Sequence, residues 1–211
     1  MGRIQLLDLH LRCPVTAFEE LAALLAELER ARTSIMALAR GSCSQEPWRL
    51  YPGEYGIFDR KTHSQFYYHS HEGARHEAGH FHTVRLFPDR SVHLVAISMA
   101  EDGWPQALFT VNGWAIGDAW EPPETLKQYI RRFHVGPGRG PAPLVRFINL
   151  MFEAFALEME QLQDDKERTL RAYCAAHPGK DPLQDWSLET LGRVEIDLKA
   201  RLAGPAEVVK P

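Results

Sequence analysis

The chain has 211 residues, enough for one sizeable core and short for two full domains. Hydrophobic residues make up 45% and charged residues 25%, which excludes a disordered or fibrous chain and fits an ordinary globular protein. With 24 basic against 28 acidic residues the formal charge is −4, so bulk electrostatics gives no reason to expect a nucleic acid or a membrane surface as partner.

The first elements are helical. Residues 15–40 carry Phe18, Leu21, Leu24, Leu25, Leu28, Ile35 and Leu38 at three- and four-residue spacing, and Thr16 with Glu19 reads as a capping box. Gly41 is a natural stop, and the Ser- and Pro-containing residues 42–53 read as loop. From 54 to 120 the period changes to two. Tyr55–Phe58, Gln65–His71, His80–Phe87, Val92–Met99 and Ala107–Val111 are rich in aromatic and β-branched residues and are separated by short turn signals. Connections that short favour an antiparallel meander of four to five strands.

Residues 122–202 return to the helical pattern. Leu126, Tyr129, Ile130 and Phe133 mark a short helix, and Gly136–Pro143 breaks the chain. A long helix is expected from Leu144 toward Ala176, with Phe147, Ile148, Met151, Phe155, Met159 and Leu162 facing the sheet. A last helix is expected over 183–202, followed by a mobile tail at 203–211. The expectation is thus one α+β domain over 1–211: an antiparallel sheet packed against N- and C-terminal helices.

Cys13, Cys43 and Cys174 are odd in number and widely spaced, with no C-x-x-C, which fits thiols packed in a core within a reducing compartment. The N-terminus is broken by Asp8, His10 and Arg12 and lacks a signal-peptide apolar core, and no stretch reaches the ~18 apolar residues of a membrane span. These readings place the protein in the cytoplasm.

The anomaly is histidine. Of ten in the chain, five lie between His69 and His82. Residues two apart on a strand share a face, so His69 pairs in direction with His71, and His80 with His82. If His71 faces His80 across an antiparallel hairpin, His69 faces His82, and all four rings share one face. Opposed Cβ atoms would then be ~4.5–5.5 Å apart, close enough for imidazoles to converge on one ion at ~2.0–2.1 Å. A metal would satisfy four lone pairs that neutral buried rings must otherwise place individually. Glu72, His76 and Glu77 in the intervening loop are candidates for further ligands, for acceptors that orient the ligating rings or, for Glu77, for a general base. His93 starts the next strand and is a candidate for the same end of the sheet. Nitrogen-rich ligation suits Fe, Zn, Cu, Ni or Mn rather than Mg or Ca. A polar cluster without metal is the competing reading, and a one-residue register slip would disperse the constellation.

Two known patterns overlap these residues. His76-Glu77-Ala78-Gly79-His80 satisfies H-E-x-x-H and looks like the zinc site of membrane-bound AAA-type peptidases, with Glu77 as base and Glu153 or Glu158 as a third ligand. That reading needs a helix, whereas the residues that follow alternate and Gly79 opposes one. The two H-x-H strands also resemble the metal-binding half of a cupin, without its flanking glycines. More of the chain, about residues 50–200, resembles a family of bacterial proteins of unknown function through YYHSH…GHFH, HLVAISM, ALFTVNGW and Trp186–Leu191. The resemblance implies that Tyr68-His69-Ser70-His71 and Gly79-His80-Phe81-His82 belong to one shared site, and it carries no activity.

Lys127, Arg131, Arg132, His134, Arg139 and Arg146 surround the glycine-rich loop, which lacks the Lys-Ser/Thr of a phosphate loop and reads as a solvated helix face. Trp104, Trp114 and Trp120 are candidates for a wall above the histidines or for core packing. Ser70 alternates away from the histidine face. The site expected is His69, His71, His80 and His82, with His76 or Glu77 assisting. Enzyme or not stays open. A mononuclear metal with an open position would act on a small-molecule substrate as Lewis acid or oxygen-activating centre, and a closed site would serve a non-catalytic binding or sensing module.

Overall fold

The computed structural model describes residues 14–73, 76–117 and 119–203, so Cys13 and residues 204–211 of the expected tail lie outside the described residues. Helix α1 (Pro14–Arg30), the first of the described elements, buries Ala17, Leu21, Leu24, Leu25 and Leu28 on one stripe. Thr16 lies inside this helix and is not its cap.

The single helix expected over 15–40 is two. Arg32 turns left-handed at φ 54°, and the Ser34 hydroxyl then accepts from the Ala37 amide at 3.1 Å, starting α2 (Ile35–Arg40). Gly41, at φ 60°, ends it.

Six antiparallel strands follow the chain order: β1 (Ile57–Asp59), β2 (Ser64–His69), β3 (Gly79–Leu86), β4 (Ser91–Met99), β5 (Pro105–Val111) and β6 (Thr190–Glu195). The meander is as expected, with one strand more. Residues 190–195 are the sixth strand, and only Leu198–Ala203 of the last expected helix is helical (α7, named after α3–α6 below). Leu191, Val194 and Leu198 stand at helical spacing. What decides is the open edge of β5, whose backbone groups pair Leu108 with Val194 and Phe109 with Arg193. Buried Asn112 holds the returning chain there, donating to the carbonyls of Pro182 and Leu188 at 2.8 and 2.9 Å.

Between β5 and β6 lie α3 (Gly113–Ile116), α4 (Pro123–Arg131), α5 (Ala142–Ala154) and α6 (Ala156–Ala176). The long helix expected over 144–176 breaks at Phe155, whose φ of −115° and ψ of 25° leave helical space. Phe155 is fully buried, edge-on to Phe18 at 5.0 Å. The break lets α5 pack on α1 and α2 while α6 packs on α4, β5 and β6. The helices cover one face of the sheet. Phe66, Tyr68, Phe81 and Ile97 point into them, with Phe81 5.8 Å from Phe147. Full burial of each such side chain contributes ~1.5–3 kcal/mol. On the opposite face Ala96, Phe109 and Val111 pack against Ala115 and Ile116 of the short α3 turn.

Cys43 and Cys174 are exposed, which corrects the expectation that they pack in the core. No helix among the described residues is long and apolar enough to cross a membrane.

Candidate metal centre

Alternation along β2 and β3 sends Phe66, Tyr68 and Phe81 to the helices, and Tyr67, His69, His80 and His82 to the other face. The register differs from the one expected. His69 stands opposite His80, and Tyr67 opposite His82. The shift is two residues, so parity is kept and the histidines still share a face. Gly79 sets it. A Cβ there would lie 2.5 Å from both the His69 carbonyl and the Tyr68 hydroxyl, and φ is 149°, so only glycine admits this approach of the strands. The Tyr68 hydroxyl, donating to the Ala78 carbonyl at 2.9 Å, pins the loop just before it.

Three ring nitrogens converge. His69 Nε2 is 2.7 Å from His80 Nε2, which is 3.0 Å from His82 Nε2. His80 and His82 are buried, and His69 is half-buried. Among the described residues this triad is the group of histidine, cysteine or carboxylate side chains whose donor atoms could hold a metal ion.

A second layer fixes the rings. The Glu77 Oε1 takes His80 Nδ1 at 2.6 Å, while its Oε2 accepts from the Ser98 hydroxyl at 2.5 Å. Burial raises the Glu77 carboxyl, and the bonds from His80 and Ser98 outweigh it, holding the group down at about 2. An ionised Glu77 only accepts, so His80 carries a proton on Nδ1 and turns Nε2 inward. His82 Nδ1 lies 3.0 Å from His93 Nε2, and His93 is fully buried. Burial, then the neighbouring rings, pushes His69 down to about 3 and His82 well below its ordinary value. His93 is held low by burial and by the charge of Lys166. These three rings are neutral at neutral pH, the form that ligates metals.

His93 owes its place to a β-bulge. Up to Thr83 opposite Val95 the ladder is regular, and the next pair is Val84 with His93, leaving Leu94 over. Simple alternation would put His93 on the helix side. The extra residue turns it to the histidine face. Ser98 arrives by direct pairing with His80.

His71 lies beyond the end of β2, half-buried, its ring 5.0 Å from His80 and stacked on Trp48 at 4.1 Å. His76 is exposed on the loop and outside the converging set, its carbonyl taken by Gln106 Nε2 at 2.6 Å. The H-E-x-x-H segment is loop running into strand, which overturns the helical peptidase reading: Gly79 and His80 are already paired to β4. Glu158, offered there as a third ligand, is paired with Arg201.

The family described as domain of unknown function DUF6969 matches residues 15–196. The chain belongs to it. No curated protein and no solved structure matches the chain. The DUF6969 match spans the histidine hairpin, the loop that carries Trp48, and strand β6.

The other candidates resolve differently. Trp114 stacks on Trp186 at 6.0 Å, and Trp104 lies beneath the Lys199 ammonium at 4.6 Å. Trp120 shares with Trp114 and Lys166 the lining of a cavity of about 210 Å³. The indole beside the histidines is Trp48, which periodicity could not single out, because it reaches them only through the backbone pairing of Tyr51 with Tyr68. Around the glycine-rich loop Arg131 pairs with Glu160, Lys127 with Glu124 and Asp164, Arg139 with Asp59, and Arg146 with Glu20.

Proposed function

We propose that this protein binds one first-row transition-metal ion through His69, His80 and His82, with Glu77 as the carboxylate that orients His80. The observation that carries this reading is the crowding of three Nε2 atoms around His80. With Nδ1 committed to Glu77, His80 turns a single Nε2 inward, and that one atom, with one N–H or one lone pair, cannot serve two straight hydrogen bonds at once. A cation at the centre uses all three lone pairs. Nitrogens bound to a tetrahedral ion at ~2.0–2.1 Å stand about 3.3 Å apart, so the rings need spread only by a few tenths of an ångström. The Glu77–His80 and His93–His82 contacts are the outer hydrogen bonds that ligating histidines need.

Both Glu77 oxygens are engaged, and its carboxyl sits far below the range useful to a general base near neutrality, so its role in this reading is orientation. Three protein ligands leave coordination open toward the half-buried rim at His69 and His71, the arrangement of a Lewis-acid or oxygen-activating centre acting on a small molecule. The exposed thiols of Cys43 and Cys174 suit a reducing compartment such as the cytoplasm.

The test is metal content by inductively coupled plasma mass spectrometry, on untagged protein purified without chelator, beside a His69→Ala/His82→Ala variant. Near-stoichiometric Fe, Zn, Cu, Ni or Mn in the native protein, lost in the variant, is expected. Native protein that holds no metal and takes none up on reconstitution would overturn the reading.

A further inference from the structure

Trp48 is 63% exposed and has φ at 66°, a backbone conformation that bulky residues avoid. Neither property helps a fold. The surroundings nonetheless hold its backbone firmly: the Trp48 amide donates to the Ser70 carbonyl at 2.8 Å, and Tyr51, three residues on, bridges Tyr68 in both directions at 2.8 Å. The result lays the indole parallel to His71, 4.1 Å away at 22°, and edge-on to His69 at 6.3 Å.

His71 in turn belongs to the triad's neighbourhood. Its ring centre is 4.9 Å from His69 and 5.0 Å from His80, where the triad's own rings are 4.5 to 5.0 Å apart. It differs in support. The triad sits on paired strands, whereas His71 stands on the irregular turn past β2, so its side chain and backbone can turn without breaking the ladder.

We propose that His71 is a displaceable fourth ligand of the metal centre, and that Trp48 is the positioning residue that holds it ready. This rests on the three-histidine metal site argued above. Coordination draws positive charge onto an imidazole, and a charged ring lies more favourably on an indole face than a neutral one. Trp48 therefore favours the ligated form of His71 while leaving the ring at the exposed rim, where an incoming small molecule with its own lone-pair donor can take its place. The site alternates between four histidines, closed, and three with an open position.

The experiment is cobalt(II) titration of the chelator-stripped full-length protein, read by visible absorption and by affinity, for the wild type and for His71→Ala, Trp48→Ala, Trp48→Phe and His82→Ala. The wild type is expected to give the intense bands of four-coordinate cobalt. His71→Ala should still bind one equivalent, with weaker bands of higher coordination and an affinity lowered about 10- to 100-fold. Trp48→Ala should shift the spectrum the same way by a smaller amount, and Trp48→Phe, which keeps an aromatic face, should restore it. A merely structural Trp48 would alter thermal stability and leave the cobalt spectrum alone. A His71→Ala spectrum and affinity equal to wild type overturns this proposal while the triad stands. Wild-type protein that binds no cobalt, or a His82→Ala variant that binds it as well as wild type, overturns the three-histidine site itself and this proposal with it.

Discussion

The two faces of the β2–β3 hairpin are built from alternating residues of the same short segments, yet they are stabilised in opposite ways. On one face Phe66, Tyr68 and Phe81 pack beneath the helices. On the other His80 and His82 are as buried as the phenylalanines, at 3% and 2% exposure, but each brings a donor and an acceptor that must be matched. The apolar face is satisfied by contact alone. The histidine face is satisfied outward by Glu77, Ser98 and His93, and inward it brings three Nε2 atoms together. A strand can thus carry a core and a site back to back, because the pleat separates them by one residue.

Substitutions on the two faces should separate stability from metal binding. Phe81→Ala removes a fully buried ring and should cost ~3–5 kcal/mol of stability in denaturant unfolding. If that variant folds, it should still take up metal. Glu77→Gln keeps the volume and removes the charge that fixes His80. Metal affinity in a competition titration should fall about 10- to 100-fold with a much smaller change in apo stability. An unchanged affinity would strip Glu77 of its orienting role.

Acid should sharpen the contrast in chelator-stripped protein. His69, held at about 3, and His82, held well below its ordinary value, resist protonation when folded, whereas the unfolded chain takes up protons at about 6.5. The unfolded state therefore binds more protons between those values. Stability should be full above about pH 6.5 and should fall as pH drops toward about 3. Urea midpoints across that range check it, and a flat profile would mean that the rings are not buried as described. The smallest effect belongs to the helical surface. Arg131, paired with Glu160 and largely exposed, should barely change the urea midpoint as Arg131→Ala and leave metal content untouched.

The basic residues around the glycine-rich loop show why charge density alone misleads. In sequence they read as one positive patch. In the fold, Asp59, buried at the start of that loop's contacts, accepts from the amides of Lys61 and Gly136 at 2.9 and 2.8 Å and faces Arg139, while Arg131 and Lys127 meet acids of α6. The carboxylates come from residues far away in the chain, so their answer to the charge is invisible along it.

The sequence by itself determined the α+β class, the antiparallel meander and the shared face of His69, His80 and His82. These follow from a period of two, short turns and parity, which survives a register shift of two residues. Tertiary structure alone decided what local pattern leaves degenerate. The edge of β5 recruited residues 190–195 as a strand, since an unpaired ladder is a stronger demand than a weak helical period. Separate packing partners broke the long helix at Phe155. The bulge at Leu94 turned His93 to the histidine face, and the Tyr51–Tyr68 bridge brought Trp48 to His71. Each of these depends on contacts between residues distant in the chain, where periodicity carries no information and only packing and backbone pairing choose.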